Sequence, residues 1–138
     1  MTRYLLDTHA IVWLLENSSK LDTEVREEIS LCEGNFAYSD ISMFEIAQLQ
    51  ALGKISLNRS IARIEEELRE LAIGVFVFDT EMLDRMRDLP VVTLNGDRHT
   101  DPFDRYIIAT AIRSKCTVVS RDARFPAYRK YGLTLRTC

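Results

Sequence analysis

Short apolar segments recur along this chain, each followed by a stretch whose apolar residues return every three or four positions. Arg3–Leu6, Asn35–Tyr38, Val75–Phe78 and Thr117–Val119 read as strands, with Leu133–Leu135 as a last one. Between them, residues 7–15, Leu21–Cys32, Ser42–Leu52, Arg59–Ala72, Thr80–Arg87 and Pro102–Ser114 read as helices. In Arg59–Ala72 the residues Ile61, Ile64, Leu68 and Leu71 share one face, and Gly74 is expected to end the helix. Gly53 plays the same part after Leu52, and Val91–Thr100, with its Asn95-Gly96 pair, reads as a loop. Strands alternating with helices in this way indicate an α/β fold of three layers, α/β/α, in which a short parallel sheet is flanked by helices. The 138 residues, without repeats or a Pro/Gly/Ser linker, are expected to form one domain over 1–138.

Composition narrows the chemistry. No apolar run approaches the ~18 residues that a membrane helix needs. The apolar N-terminus carries Asp7 and His9 in its middle and lacks a small-residue cleavage site, so the expected location is the cytoplasm, without a signal peptide. Cys32, Cys116 and Cys138 are widely spaced and form no CxxC pair, which excludes a zinc ribbon and a disulfide framework; Cys32 and Cys116 are expected to pack as small hydrophobes. With two histidines only, a metal site would be built from carboxylates, a donor set suited to Mg²⁺ or Mn²⁺. The net charge of −3 conceals an asymmetry: residues 1–97 hold 9 basic and 18 acidic residues, residues 98–138 hold 9 basic and 3 acidic. A basic final third can bind phosphates on an otherwise acidic protein, or form an ordinary solvated face.

Parallel α/β sheets place their sites beyond the carboxyl ends of the strands. Asp7 follows the first strand, Glu45 lies in the helix after the second, and Ser120-Arg121-Asp122 follows Thr117–Val119. Asp101 and Asp104 open the helix Pro102–Ser114. Carboxylates gathered at such an edge repel one another unless a cation lies among them. Taken singly, each acid reads more readily as a helix cap than as a ligand. Ser42-Met43-Phe44-Glu45 fits a capping box, Asp101-Pro102 an N-cap followed by Pro, and Asp122 a cap for a short final turn. Caps do not explain why Asp7 follows Tyr4-Leu5-Leu6 or why Glu45 stands between Met43-Phe44 and Ile46-Ala47, settings in which a charge is costly unless paired or metal-bound.

Four blocks in order, YLLDTHAIVWLL, SDISMFEIAQLQALGKI, DPFDRYIIATAI and TVVSRD, resemble PIN-domain proteins, and among them the VapC-type toxins of toxin–antitoxin pairs, over essentially the whole length. The resemblance implies a PIN-like fold and an RNA endonuclease using Mg²⁺ or Mn²⁺, dimeric and held inactive by a small antitoxin. It implies Asp7, Glu45, Asp104 and Asp122 as the catalytic acids and Ser120 as the supporting hydroxyl, although many relatives have Thr there. Asp7 and Asp104 would hold the main ion, with Glu45 and Asp122 completing the pocket directly or through water. Asp101 is read as a capping or supplementary acid, with the reverse assignment of Asp101 and Asp104 left open. An ion so held would activate water for attack on a phosphodiester. Arg98, His99, Arg105, Arg121 and Arg124 are candidate RNA phosphate contacts, or else surface charges and salt-bridge partners. His9 is read as structural or facing the rim. Ile11–Leu15, with Phe44, Leu49 and Leu52, offers apolar surface for an antitoxin helix or a second subunit, or else a fully buried helix.

Competing readings are a non-catalytic PIN-like nucleic-acid-binding module, whose signature would be a missing acid, and a receiver- or phosphatase-like domain. The latter would want Asp-x-Asp after the first strand, where the chain has Asp7-Thr8-His9, or a Lys after a late strand, where it has Ser120 and Arg121.

Overall fold

A computed structural model describes residues 2–31 and 35–138. Five strands, β1 (Tyr4–Leu6), β2 (Phe36–Ser39), β3 (Gly74–Phe76), β6 (Thr117–Val119) and β7 (Thr134–Arg136), form one parallel sheet in the order β3-β2-β1-β6-β7. Helices α1 (Thr8–Leu15), α2 (Thr23–Ser30), α3 (Ile41–Ala51) and α4 (Ile61–Glu70) connect β1 to β2 and β2 to β3. The chain then returns through α5 (Thr80–Asp88) and α6 (Pro102–Ser114) to the other side of β1, and a 3₁₀ segment, Phe125–Tyr131, leads to β7.

Alternation along the strands feeds two cores. Leu6, Phe36, Tyr38 and Val119 point to one face, where they meet Ile11, Val25, Ile46, Ile64 and Leu68 from α1–α4. Their neighbours Leu5, Ala37 and Val118 point to the other, against Ile107, Ile108 and Ala111 of α6 and the aromatic rings of Phe125 and Tyr128. The sheet is therefore covered on both faces, as its unbroken apolar strands require. The three-layer α/β/α expectation agrees with this architecture.

Some boundaries differ from the sequence reading. Gly74 does not end a helix; it begins β3, and Ala72 takes the left-handed conformation (φ +58°) after α4. The segment Val91–Thr100 is not a plain loop. It contains a two-stranded antiparallel hairpin, β4 (Thr93–Leu94) and β5 (Asp97–Arg98). Asn95 and Gly96 both have positive φ (+52° and +84°), the geometry that a two-residue hairpin turn needs. The helix expected at Leu21–Cys32 runs over Thr23–Ser30, and Cys32 lies outside the described residues. Cys116 and Cys138 are buried and unpaired, and burial pushes the Cys138 thiol up to about 12.

The order of the strands reverses at β1 and β6. Loops leaving their carboxyl ends diverge to opposite faces and open a crevice between them. Asp7 lies at the end of β1 and Ser120-Arg121-Asp122 at the end of β6.

Candidate metal centre

Asp7 is buried where β1 passes into α1. Its amide donates to Val119 O at 3.2 Å, and its Oδ1 caps α1 by accepting from the Ala10 amide at 2.8 Å. The cap reading of Asp7 is thus correct, but it uses one oxygen and leaves a buried carboxylate facing the crevice. Burial pushes the Asp7 carboxyl up to about 6, against the Ser120 hydroxyl, the Ala10 amide and the His9 ring, which favour its charged form. Ser120 is buried and its Oγ accepts from the Asp122 backbone amide at 3.0 Å, so one hydroxyl ties the Asp7 carboxyl to the backbone that carries Asp122.

Glu45 arrives from α3. The capping-box reading fails here. Helix α3 begins at Ile41, which puts Glu45 in its second turn, and Ser42 is buried with its Oγ accepting from Thr8 Oγ1 at 3.0 Å. That hydroxyl pair joins α1 to α3 beside the site. Sequence reasoning passed over Thr8, whose only signal was its place after Asp7. Burial raises the Glu45 carboxyl, and Asp104 and Asp101 add repulsion. Its Oε1 is buried without a hydrogen-bond partner.

Asp101 and Asp104 come from the first turn of α6. Asp101 Oδ1 accepts from the amides of Phe103 (2.9 Å) and Asp104 (3.1 Å), the expected N-cap with Pro102 at the first helical position. Asp104 is raised by burial and by the nearby Asp101 and Asp122. Ligand oxygens of Glu45, Asp101 and Asp104 all lie within 4.8 Å of one another. Asp101 therefore stands closer to the centre than a capping acid alone would. Asp122 lies on the Asp7 side. Burial works to raise it, but hydrogen bonds from the Arg124 side chain and amide hold it below the usual carboxylate range.

The basic residues divide. Arg124 reaches in, with Nη2 at 2.7 Å from Asp122 Oδ2 and 3.3 Å from Asp104 Oδ2. Arg98 is exposed on β5 and, with Arg124, His99, Asn95 and Asp97, lines a cavity of about 350 Å³ beside the acids. Arg121 is exposed; it donates to Lys20 O at 2.8 Å and lies 6.0 Å from the Trp13 ring. Two of the five depart from the phosphate-contact expectation. Arg105 is buried and donates to the carbonyls of Met86 (2.9 Å), Leu89 (2.8 Å) and Pro90 (3.3 Å), so its charge closes the end of α5. His99 is also buried, between Asp104 and Tyr128. His9 is exposed and tilts against Trp13, consistent with a place on the rim.

The site suits a hard cation. Glu45, Asp101 and Asp104 meet within 4.8 Å, with Asp7 and Asp122 outside that group but alongside it; burial disfavours the charge of Asp7, Glu45 and Asp104, Glu45 keeps an orphaned buried oxygen, and one arginine offsets the charge of Asp104 only in part. The Asp7 pKa is raised from 3.8 to about 6 by folding, so its contribution to stability is full below pH ~4 and is lost as pH rises through about 6, a loss on the order of 3 kcal/mol. Asn at position 7 can still cap α1 but carries no charge. In EDTA at pH 7.5, Asp7→Asn should be more stable to urea than the parent protein by up to about 3 kcal/mol, with the gap closing towards pH 4. A gap independent of pH would show that the carboxylate is not the source.

A sequence profile of the PIN domain family matches residues 4–131. Over 137 residues the chain is 28% identical to the ribonuclease VapC22 of Mycobacterium tuberculosis, covering 94% of each chain. Among solved structures it is similar to VapBC2 from Rickettsia felis bound to a promoter DNA fragment (18% identity, 99% and 98% of the two chains covered, TM-score 0.60). It is also similar to DNA-bound VapBC from Salmonella typhimurium (16% identity, 99% and 98% covered, TM-score 0.63).

Proposed function

The chain belongs to the PIN domain family, and on that premise we propose that it is a divalent-metal-dependent endoribonuclease, the toxin of a toxin–antitoxin pair. The observation that carries the reading is the meeting of Glu45, Asp101 and Asp104 within 4.8 Å, with Asp7 and Asp122 joined through Ser120 alongside. The similarity to a named ribonuclease supports it.

In this reading Asp104, Glu45 and Asp101 hold Mg²⁺ or Mn²⁺, with Asp7 and Asp122 completing the pocket directly or through water. When bound, such an ion supplies a more acidic water and neutralises charge developing on the phosphate. The residues of the chain do the rest. Thr8 and Ser42 fix α1 against α3 and so set the distance from Asp7 to Glu45. Ser120 orients the Asp7 carboxyl and anchors the backbone of Asp122. Arg124 restrains Asp122 and Asp104, and with exposed Arg98 and Arg121 faces the approach that an RNA backbone would take. All four acids implied by the family resemblance are present, which favours a catalyst over a binding module.

An antitoxin partner and a homodimer belong to the same proposal. A groove of about 580 Å³ between α3 and α4 is lined by Ile41, Met43, Phe44, Ala47, Ile61 and Phe78, and Phe44 is 69% exposed. Trp13, Leu14 and Leu15 are only partly buried, so α1 is neither wholly core nor wholly surface. The expected cytoplasmic site of action fits an RNA substrate, and none of the described helices is long and apolar enough to cross a membrane.

The test is a cleavage assay on total cellular RNA. Cutting with Mg²⁺ or Mn²⁺ that stops in EDTA and returns on adding the ion is the expected result. Undiminished cutting in EDTA would remove the metal from the account.

A further inference from the structure

His99 stood among the candidate phosphate contacts, yet its side chain is 1% exposed and no polynucleotide can reach it. Its place is fixed from three directions. The backbone amide donates to Val92 O at 2.9 Å and closes the base of the β4–β5 hairpin. The ring lies edge-on to Tyr128 and tilted to Phe125. Its two nitrogens each have one partner, Nδ1 the Tyr128 hydroxyl at 2.8 Å and Nε2 the Asp104 Oδ2 at 3.0 Å.

The proton positions follow from the partners. An ionised carboxylate only accepts, so Nε2 carries a proton. An imidazole whose one proton sits on Nε2 accepts at Nδ1, so the Tyr128 hydroxyl at 2.8 Å donates there. The chain of donation therefore runs from Tyr128 to His99 to Asp104. Arg124 also donates to Oδ2 of Asp104, at 3.3 Å. Both bonds go to one oxygen and leave Oδ1 for a ligand.

We propose that His99 is the positioning residue of the metal centre, holding the Asp104 carboxylate in ligating orientation through an Nε2–H that Tyr128 keeps in place. The inference rests on Asp104 being a metal ligand, as proposed above. A carboxylate on the first turn of a helix otherwise turns freely about its side-chain bonds, and loss of such an outer partner typically weakens metal binding about 10–100-fold. The same device ties the hairpin, whose residues Asn95 and Arg98 line the neighbouring cavity, to the centre itself.

Calorimetric titration of Mn²⁺ into the EDTA-stripped full chain tests this. His99→Ala should weaken Mn²⁺ binding about 10–100-fold. His99→Gln, whose amide N–H reaches the place of Nε2, should recover most of it. Tyr128→Phe should weaken binding less than His99→Ala, and its ¹H–¹⁵N spectrum should show His99 in a mixture of tautomers where the parent shows the proton on Nε2. Asp104→Asn separates the two levels of inference. If Asp104→Asn lowers Mn²⁺ affinity while His99→Ala and His99→Gln both bind as the parent does, the His99 proposal is overturned and the site stands. If Asp104→Asn binds Mn²⁺ unchanged, the site reading falls and this proposal with it. Should His99→Ala fail to fold, unchanged Mn²⁺ affinity and an unchanged tautomer in Tyr128→Phe overturn the proposal.

Discussion

Asp104→Asn is expected to lower metal-dependent RNA cleavage about 10³-fold, the equivalent of ~4 kcal/mol of lost transition-state stabilisation. Asp104 is the acid on which the others converge: it lies with Glu45 and Asp101 within 4.8 Å, faces Asp122, and takes hydrogen bonds from His99 and Arg124. Asn keeps the size and the helical position but removes the charge that a hard cation needs. It also relieves the repulsion and burial that now raise the Asp104 carboxyl, so the variant should unfold no more readily than the parent protein. Loss of activity together with loss of stability would point to a folding defect instead. Gel-resolved cleavage with Mn²⁺, paired with urea unfolding in EDTA, distinguishes the two.

Arg105→Ala is expected to cause the largest loss of stability, about 3 kcal/mol, because three buried or half-buried carbonyls lose their donor together. Those carbonyls, of Met86, Leu89 and Pro90, end α5 and begin the segment that leads to the hairpin. The same substitution should leave the salt dependence of RNA binding unchanged, since the guanidinium touches no surface that RNA can reach. Arg98→Ala should do the reverse, lowering the salt dependence while barely changing stability. A stable Arg105→Ala protein with a reduced salt slope would restore Arg105 to the phosphate contacts.

The layers and the crevice were legible because they depend on periodicity. Leu5 and Leu6 alternate between two cores, α6 spans Pro102–Ser114 as its pattern predicts, and the acids after β1 and β6 share the edge where strand order reverses. What periodicity does not carry is partnership across the chain. Ser42 has the spacing of a capping residue, but its partner is Thr8, 34 positions away, and the helix starts two residues earlier than a box would require. The β4–β5 hairpin was missed because each strand has two residues, too few for alternation to register, although Asn95-Gly96 marked the turn. Charge does not announce burial either. Arg105 and His99 stood in a basic stretch and read as surface, whereas the fold turns them inward to close α5 and to hold Asp104. Asp101 was read correctly as a cap, and capping occupies its Oδ1 in bonds to two amides. Its further nearness to Glu45 depends on how α3 crosses α6, which no local pattern specifies.

Crystals of the protein soaked in Mn²⁺ and measured for anomalous scattering locate the bound ion among the acids. The expected result is a manganese peak bonded to carboxylate oxygens of Asp104 and Glu45, with Asp101 beside it and Asp7 and Asp122 within one water. Manganese elsewhere on the protein, with these five carboxylates free of it, would contradict it.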